Sequence, residues 1–136
     1  MIKFIRMKTF LLLVSIVAIL ATCSDEDSPR KMKVTVPITL LDVDNIGIAN
    51  EELSMRVKAI APSGCYSDLE IALEKIDERH HILTASATYF SKNNICPYNI
   101  VSRDTIISFT PQVTGVYYFS ANKPDLTILR DTLIVE

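Results

Sequence analysis

Leu53, Met55, Val57 and Ala59 alternate with Ser54, Arg56 and Lys58, and this two-residue period recurs along much of the chain. A period of two places every second side chain on one face of an extended strand, so one face can pack while the other meets water. Val34, Val36 and Ile38 repeat the pattern, as do Leu83, Ala85, Ala87 and Tyr89 within 81–90, and Thr105, Ile107 and Phe109 before Pro111. Pro37 has no N–H to give to a ladder, so the first run must lie at an edge or break there. Polar or turn-forming stretches separate the runs: 42–52 around Gly47, Pro62-Ser63-Gly64, and the loop 91–101 that holds Cys96 and Pro97. Residues 67–78 fit two patterns. Leu69, Ile71 and Leu73 alternate as a strand, whereas Leu69, Ala72, Leu73 and Ile76 form a helical stripe with Ser67 and Glu70 as a capping box. Turn signals every eight to twelve residues favour the strand. The spacing predicts an all-β fold, a single antiparallel sandwich of about seven strands over residues 33–136.

The amino-terminal residues have another texture. Lys3, Arg6 and Lys8 precede an apolar run from Phe10 to Ala21, which stops at Leu20-Ala21-Thr22-Cys23. A basic start, a short apolar middle and a small-residue end make a secretory signal helix over 1–22. The apolar run is about a dozen residues, roughly 18 Å as a helix, too short for a ~30 Å hydrocarbon core.

A cysteine at the cleavage point resembles the lipobox of bacterial lipoproteins. Leu20 and Ala21 fit that pattern, and Thr22 departs from the glycine, alanine or serine usual there. The resemblance implies acylation (palmitate or similar chains) at Cys23. The bland alternative is an ordinary signal cut nearby, with Cys23 left as a thiol. Ser24-Asp25-Glu26-Asp27 resembles the acidic export tag of surface lipoproteins in Bacteroidota, which implies lipid anchoring at the outer face of the outer membrane. Without that resemblance the cluster reads as a solvated tether over 23–32, and the alternative placement is the periplasmic face. Each buried acyl CH₂ contributes about 0.8 kcal/mol, so two or three chains attach a protein durably where one does not.

Export changes the reading of composition. The signal carries three of the 14 Lys and Arg and none of the 16 Asp and Glu, leaving the remainder near −5. An acidic domain without basic stripes does not suit phosphate backbones, and nucleic acid is excluded as a partner. The 49% hydrophobic content is inflated by the signal. With Cys23 acylated, Cys65 and Cys96 are an even pair in an oxidising compartment, where a disulfide is expected. Thirty residues lie between them, and closing that loop would contribute about 3–4 kcal/mol in the chain-entropy model. Two buried free thiols are the competing reading.

Gly115-Val116-Tyr117-Tyr118-Phe119, followed by Ala121, resembles the penultimate strand of an immunoglobulin-like sandwich. In that family a tyrosine hydroxyl caps nearby backbone and an inward residue follows two positions on. Tyr117 and Phe119 take those positions; the family's tryptophan and inward cysteine are absent. After Asp131, Leu133 and Val135 supply the inward face of a final strand.

Tests for chemistry are mostly negative. Asp42-Val43-Asp44-Asn45-Ile46-Gly47 opens like a calcium loop, but Ile46 and Leu53 stand where ligand oxygens belong, which leaves a turn between strands as the better account. His80 and His81 are adjacent, so on a strand they face opposite ways, and His80 with Glu78 makes at most a half-site. No Gly-x-Ser-x-Gly elbow or glycine-rich phosphate loop occurs in a chain with three glycines. The expectation is therefore no catalysis, no metal and no cofactor. Tyr66 beside Cys65 and Tyr98 beside Cys96 are candidates for a binding surface at one end of the sandwich, or else a cover for the disulfide. The function these features imply is a membrane-anchored, non-catalytic binding or structural accessory module of the cell envelope. Its partner would be an envelope protein, a glycan or a host protein. The alternative is a periplasm-facing inhibitor or assembly factor that presents 91–101 to a protease or client.

Overall fold

The computed structural model describes residues 31–125 and 127–136. The signal 1–22, Cys23 and the acidic cluster 24–27 lie outside the described residues. Among the described residues nine strands form: β1 (Met32–Val36), β2 (Ile38–Val43), β3 (Ile46–Gly47), β4 (Leu53–Ala61), β5 (Tyr66–Lys75), β6 (His80–Tyr89), β7 (Val101–Phe109), β8 (Gly115–Asn122) and β9 (Ile128–Val135). No helix occurs among the described residues. The first described strand begins at Met32. The ambiguous 67–78 segment is strand as far as Lys75, with Leu69, Ile71 and Leu73 turned inward, and Ile76 to Glu78 belong to the bend that follows.

The strands divide between two sheets. The smaller one orders β2-β4-β7; the larger runs β1-β6-β8-β9-β3, with β5 on the other edge of β6. Pro37 is where the chain leaves one sheet for the other. β1 pairs with β6, β2 pairs with β4, and the Pro37 carbonyl accepts from Ile60 N at 3.2 Å. The run from 33 therefore breaks at Pro37 into two strands, one of the two outcomes expected of a proline that cannot donate to the ladder. A second addition is β3, a short strand inside the expected turn 42–52. Ile46 and Gly47 pair with Ile134 and Val135, and a Cβ on Gly47 would collide with Leu53.

The expectation of a purely antiparallel sandwich is corrected. β3 runs parallel to β9, and β8 runs parallel to β6 over His80–Leu83 and Tyr118–Ala121. The chain passes through the smaller sheet as β7 between β6 and β8, so β8 re-enters the larger sheet in the direction of β6. In the edge strand β5, the register against β6 slips between Ser67 and Glu70, where Asp68 sits at φ 51°. Arg103 Nη1 of β7 donates to the Leu69 carbonyl there at 2.9 Å, fastening one sheet to the other.

The core lies between the sheets and is graded along its length. Alanines 59, 61, 85 and 87, all buried, fill the end where β4 and β6 finish. Phe109, Tyr117 and Phe119 surround His81 toward the opposite end, with ring centroids 4.8 to 6.0 Å from the imidazole. Tyr117 forms the expected corner. Its hydroxyl donates to Val113 O at 2.9 Å and accepts from Val113 N at 3.2 Å, while the residue is 1% exposed. Gly115 has φ 127°, a region closed to side chains, and the Arg79 guanidinium lies against it.

Candidate binding surfaces

Cys65 and Cys96 are joined as a disulfide with Cα atoms 5.2 Å apart. The bond links the β4–β5 turn to the β6–β7 loop. Around it, Gly64 N donates to Pro97 O at 2.9 Å and Phe90 N to Cys65 O at 2.9 Å. Asn93 and Asn94 have φ of 58° and 55°, the signature of a type I′ turn, and Ile95 N closes it onto Lys92 O at 3.3 Å. A short hairpin is therefore pinned outward at this end. It carries Ile95, Tyr98 and Ile100 in solvent, at 75% exposure for Ile95 and full exposure for Tyr98.

The two tyrosines nominated from sequence have different surroundings. Tyr66 is half-buried and packs edge-on against Tyr89 at 5.2 Å, with Tyr89 Oη 3.6 Å from Cys96 Sγ. Tyr98 stands free beside the disulfide. Tyr66 thus packs on Tyr89, the ring whose hydroxyl approaches the bridge, and Tyr98 belongs to the exposed loop with two isoleucines that sequence reasoning did not nominate.

A second surface was missed altogether. On the outer face of the larger sheet, register places Ile46 beside Ile134, Ile134 beside Val116, His80 beside Tyr118 and Ile82 beside Ser120. Ile46, Ile82, Val116, Tyr118, Ile128 and Ile134 are all exposed on this face, with Ile76 at its margin. His80 stacks on Tyr118 with centroids 5.0 Å apart and planes 10° from parallel. A groove of about 660 Å³ runs past His80, Ile82, Tyr118, Ile128 and Arg130. The signal was present in the sequence: Val116 to Phe119 and Leu133 to Val135 are apolar at consecutive positions, the mark of a strand with two apolar faces.

His80 and His81 face opposite ways as expected. His80 does not pair with Glu78; its Nδ1 lies 2.7 Å from Asp77 Oδ2. Asp77 Oδ1 also accepts from Arg79 N and His80 N, both at 2.8 Å. Those bonds, led by the Arg79 amide, bring the Asp77 carboxyl down to about 2. His81 is buried and its Nδ1 has no hydrogen-bond partner; burial pushes its pKa below the ordinary 6.5. Among the described residues, no group of three or more His, Cys, Asp or Glu could hold a metal ion. Asp42 lies within β2 and Ile46 within β3, so the calcium-like segment joins two strands. Comparison with protein-family models, with curated proteins and with solved structures finds no match.

Proposed function

We propose that this chain is a lipid-anchored module of the cell envelope. It is held through Cys23 and presents the outer face of its larger sheet to a partner protein without catalysing a reaction. The observation that carries the binding role is the exposed apolar face from Ile46 through Val116 and Tyr118 to Ile82. A contiguous exposed patch of this kind marks an interaction site more often than it marks ordinary surface. Isoleucine and valine dominate it, which suits a protein surface better than a glycan, whose recognition uses aromatic platforms ringed by hydrogen-bonding groups. The Tyr117 corner and the inward Phe119, Leu133 and Val135 support an immunoglobulin-like origin for the sandwich, modified by its parallel pairs. The lipobox-like Leu20-Ala21-Thr22-Cys23 and the acidic Ser24–Asp27 support outward-facing attachment to the outer membrane.

A photo-crosslinking side chain at position 118, on intact cells, tests the face. The expected result is a discrete adduct with one envelope or host protein that disappears when Ile134→Ser is added. No adduct at 118, or the same adduct from position 106 on the smaller sheet, would overturn it. Cys23→Ser tests the anchor separately: membrane partitioning is expected to disappear.

The pinned loop 91–100 favours a second reading, an inhibitor or assembly factor on the periplasmic side offering that loop to a protease or client. Protection of the domain from added protease on intact cells is its expected signature, and cleavage is that of the surface module.

A further inference from the structure

We infer that the apolar tip of the domain, formed by Ile95, Tyr98, Ile100 and Met32, docks on the surface of the lipid bilayer to which the chain is tethered. The inference rests on the reading of Cys23 as the anchor. It goes further by assigning an orientation and a second membrane contact.

The first observation is where the tether enters. β1 starts at Met32, and Met32 pairs with Tyr89, the last residue of β6. The loop bearing Ile95, Tyr98 and Ile100 begins two residues after Tyr89. Lys31 Nζ lies 5.8 Å from the centre of the Phe90 ring, so chain entry and loop share one end of the sandwich. From Cys23 to Met32 the chain spans at most about 30 Å when fully extended. The domain therefore stays near the bilayer at a high effective concentration, with this end nearest the attachment point.

The second observation is chemical. Ile95 and Ile100 are 75% and 71% exposed, and Met32 is 49% exposed. The type I′ turn and the disulfide hold the loop, so its isoleucines are not free to fold onto the core. Tyrosine, with an apolar ring and a polar tip, is enriched where hydrocarbon meets headgroups. No Asp or Glu occurs between Ser91 and Ile100, while Lys92 does, and Lys31 lies over Phe90 at the same end. On β5 the acids nearest this end are Asp68, which accepts from the Ser67 hydroxyl at 3.0 Å, and Glu70, which is paired with Lys33 at 3.0 Å. An apolar tip edged by lysine suits a headgroup layer with anionic lipid. With that end down, the β5–β6 hairpin and the outer sheet face beside it point away from the membrane, open to a partner.

The test separates docking from anchoring. The mature chain from Ser24 retains every described strand. With a polyhistidine tag in place of Cys23, it is attached to vesicles of phosphatidylethanolamine and phosphatidylglycerol (3:1) that contain a nickel-chelating lipid. An environment-sensitive fluorescent side chain is placed at position 98 or, as control, at position 78 in the opposite hairpin. The expected result is quenching by acyl-chain spin-labelled lipid at 98 severalfold stronger than at 78. Without the tag, binding to the same vesicles should fall at least about a hundredfold when Ile95, Tyr98 and Ile100 are all changed to Ser, since each apolar anchor withdrawn from water is alone worth about tenfold. Equal quenching at the two positions, or unchanged vesicle binding by the triple variant, overturns the docking whether or not Cys23 is acylated. A spectral change at 98 that arises without vesicles, from a second copy or an added protein, overturns it as well. Loss of membrane partitioning in cells for Cys23→Ser bears on the anchor alone.

Discussion

Tyr117→Phe removes one oxygen from the most enclosed corner of the fold and leaves the ring in place. The hydroxyl makes two bonds to Val113, donating to its carbonyl at 2.9 Å and accepting from its amide at 3.2 Å. Each such bond contributes about 1 kcal/mol net, and a buried group left without a partner costs about 1–3 kcal/mol. Val113 is only half-buried, so water can satisfy part of what the phenol abandons. The expected loss is therefore about 2 kcal/mol. For a domain of this size that lowers Tm by about 8–14 °C. In urea the midpoint should fall by about 1 M at unchanged m, because the surface exposed on unfolding is the same. Tyr118→Phe is the control. Its ring stands on the outer face, 47% exposed, and its change should stay within about 0.5 kcal/mol. A Tyr117→Phe loss no larger than that of Tyr118→Phe would refute the claim that the corner fastens the β7–β8 turn.

Cys65→Ala with Cys96→Ala should cost about 3–4 kcal/mol by urea titration, since the bond closes a loop with separation 31; a loss under about 1 kcal/mol would mean the hydrogen bonds around Pro97 suffice. His81→Phe should stabilise the domain at neutral pH by about 1–2 kcal/mol, because it removes a buried nitrogen without a partner. It should also change the pH profile. The folded pKa of His81 lies below 6.5, so as pH falls from about 6.5 the unfolded chain gains the proton first, and stability is lost progressively through the folded pKa. Thermal melts between pH 7.5 and 4.5 should show this slope flattened in His81→Phe; an unchanged slope would locate the titration elsewhere.

Strand existence was legible because period two is local. Leu53 to Ala59 and Leu83 to Ala87 needed no knowledge of their neighbours to declare an inner face. Sheet membership was not legible, since alternation says which side of a strand is buried and nothing about the strand beside it. β8 therefore could be expected beside an antiparallel neighbour and still pair parallel with β6. The Tyr117 corner was readable because hydroxyl and carbonyl belong to residues four apart. The union of Tyr66 with Tyr98 was not, because adjacency to bonded cysteines fixes where two backbones meet and leaves side-chain direction open. The outer face escaped notice because each outward isoleucine is unremarkable singly. Register turns them into neighbours.

The grading of the core has a kinetic consequence. Methyl groups withdraw little area from water, so the half lined by alanines 59, 61, 85 and 87, with Val36, Ile38 and Leu69 beside them, gains less from desolvation than the half built on Phe109, Tyr117 and Phe119. The covalent bridge at Cys65 closes the weaker half. A reductant would thus loosen the domain from that half first, while the aromatic half kept its amides protected until the whole sandwich came apart.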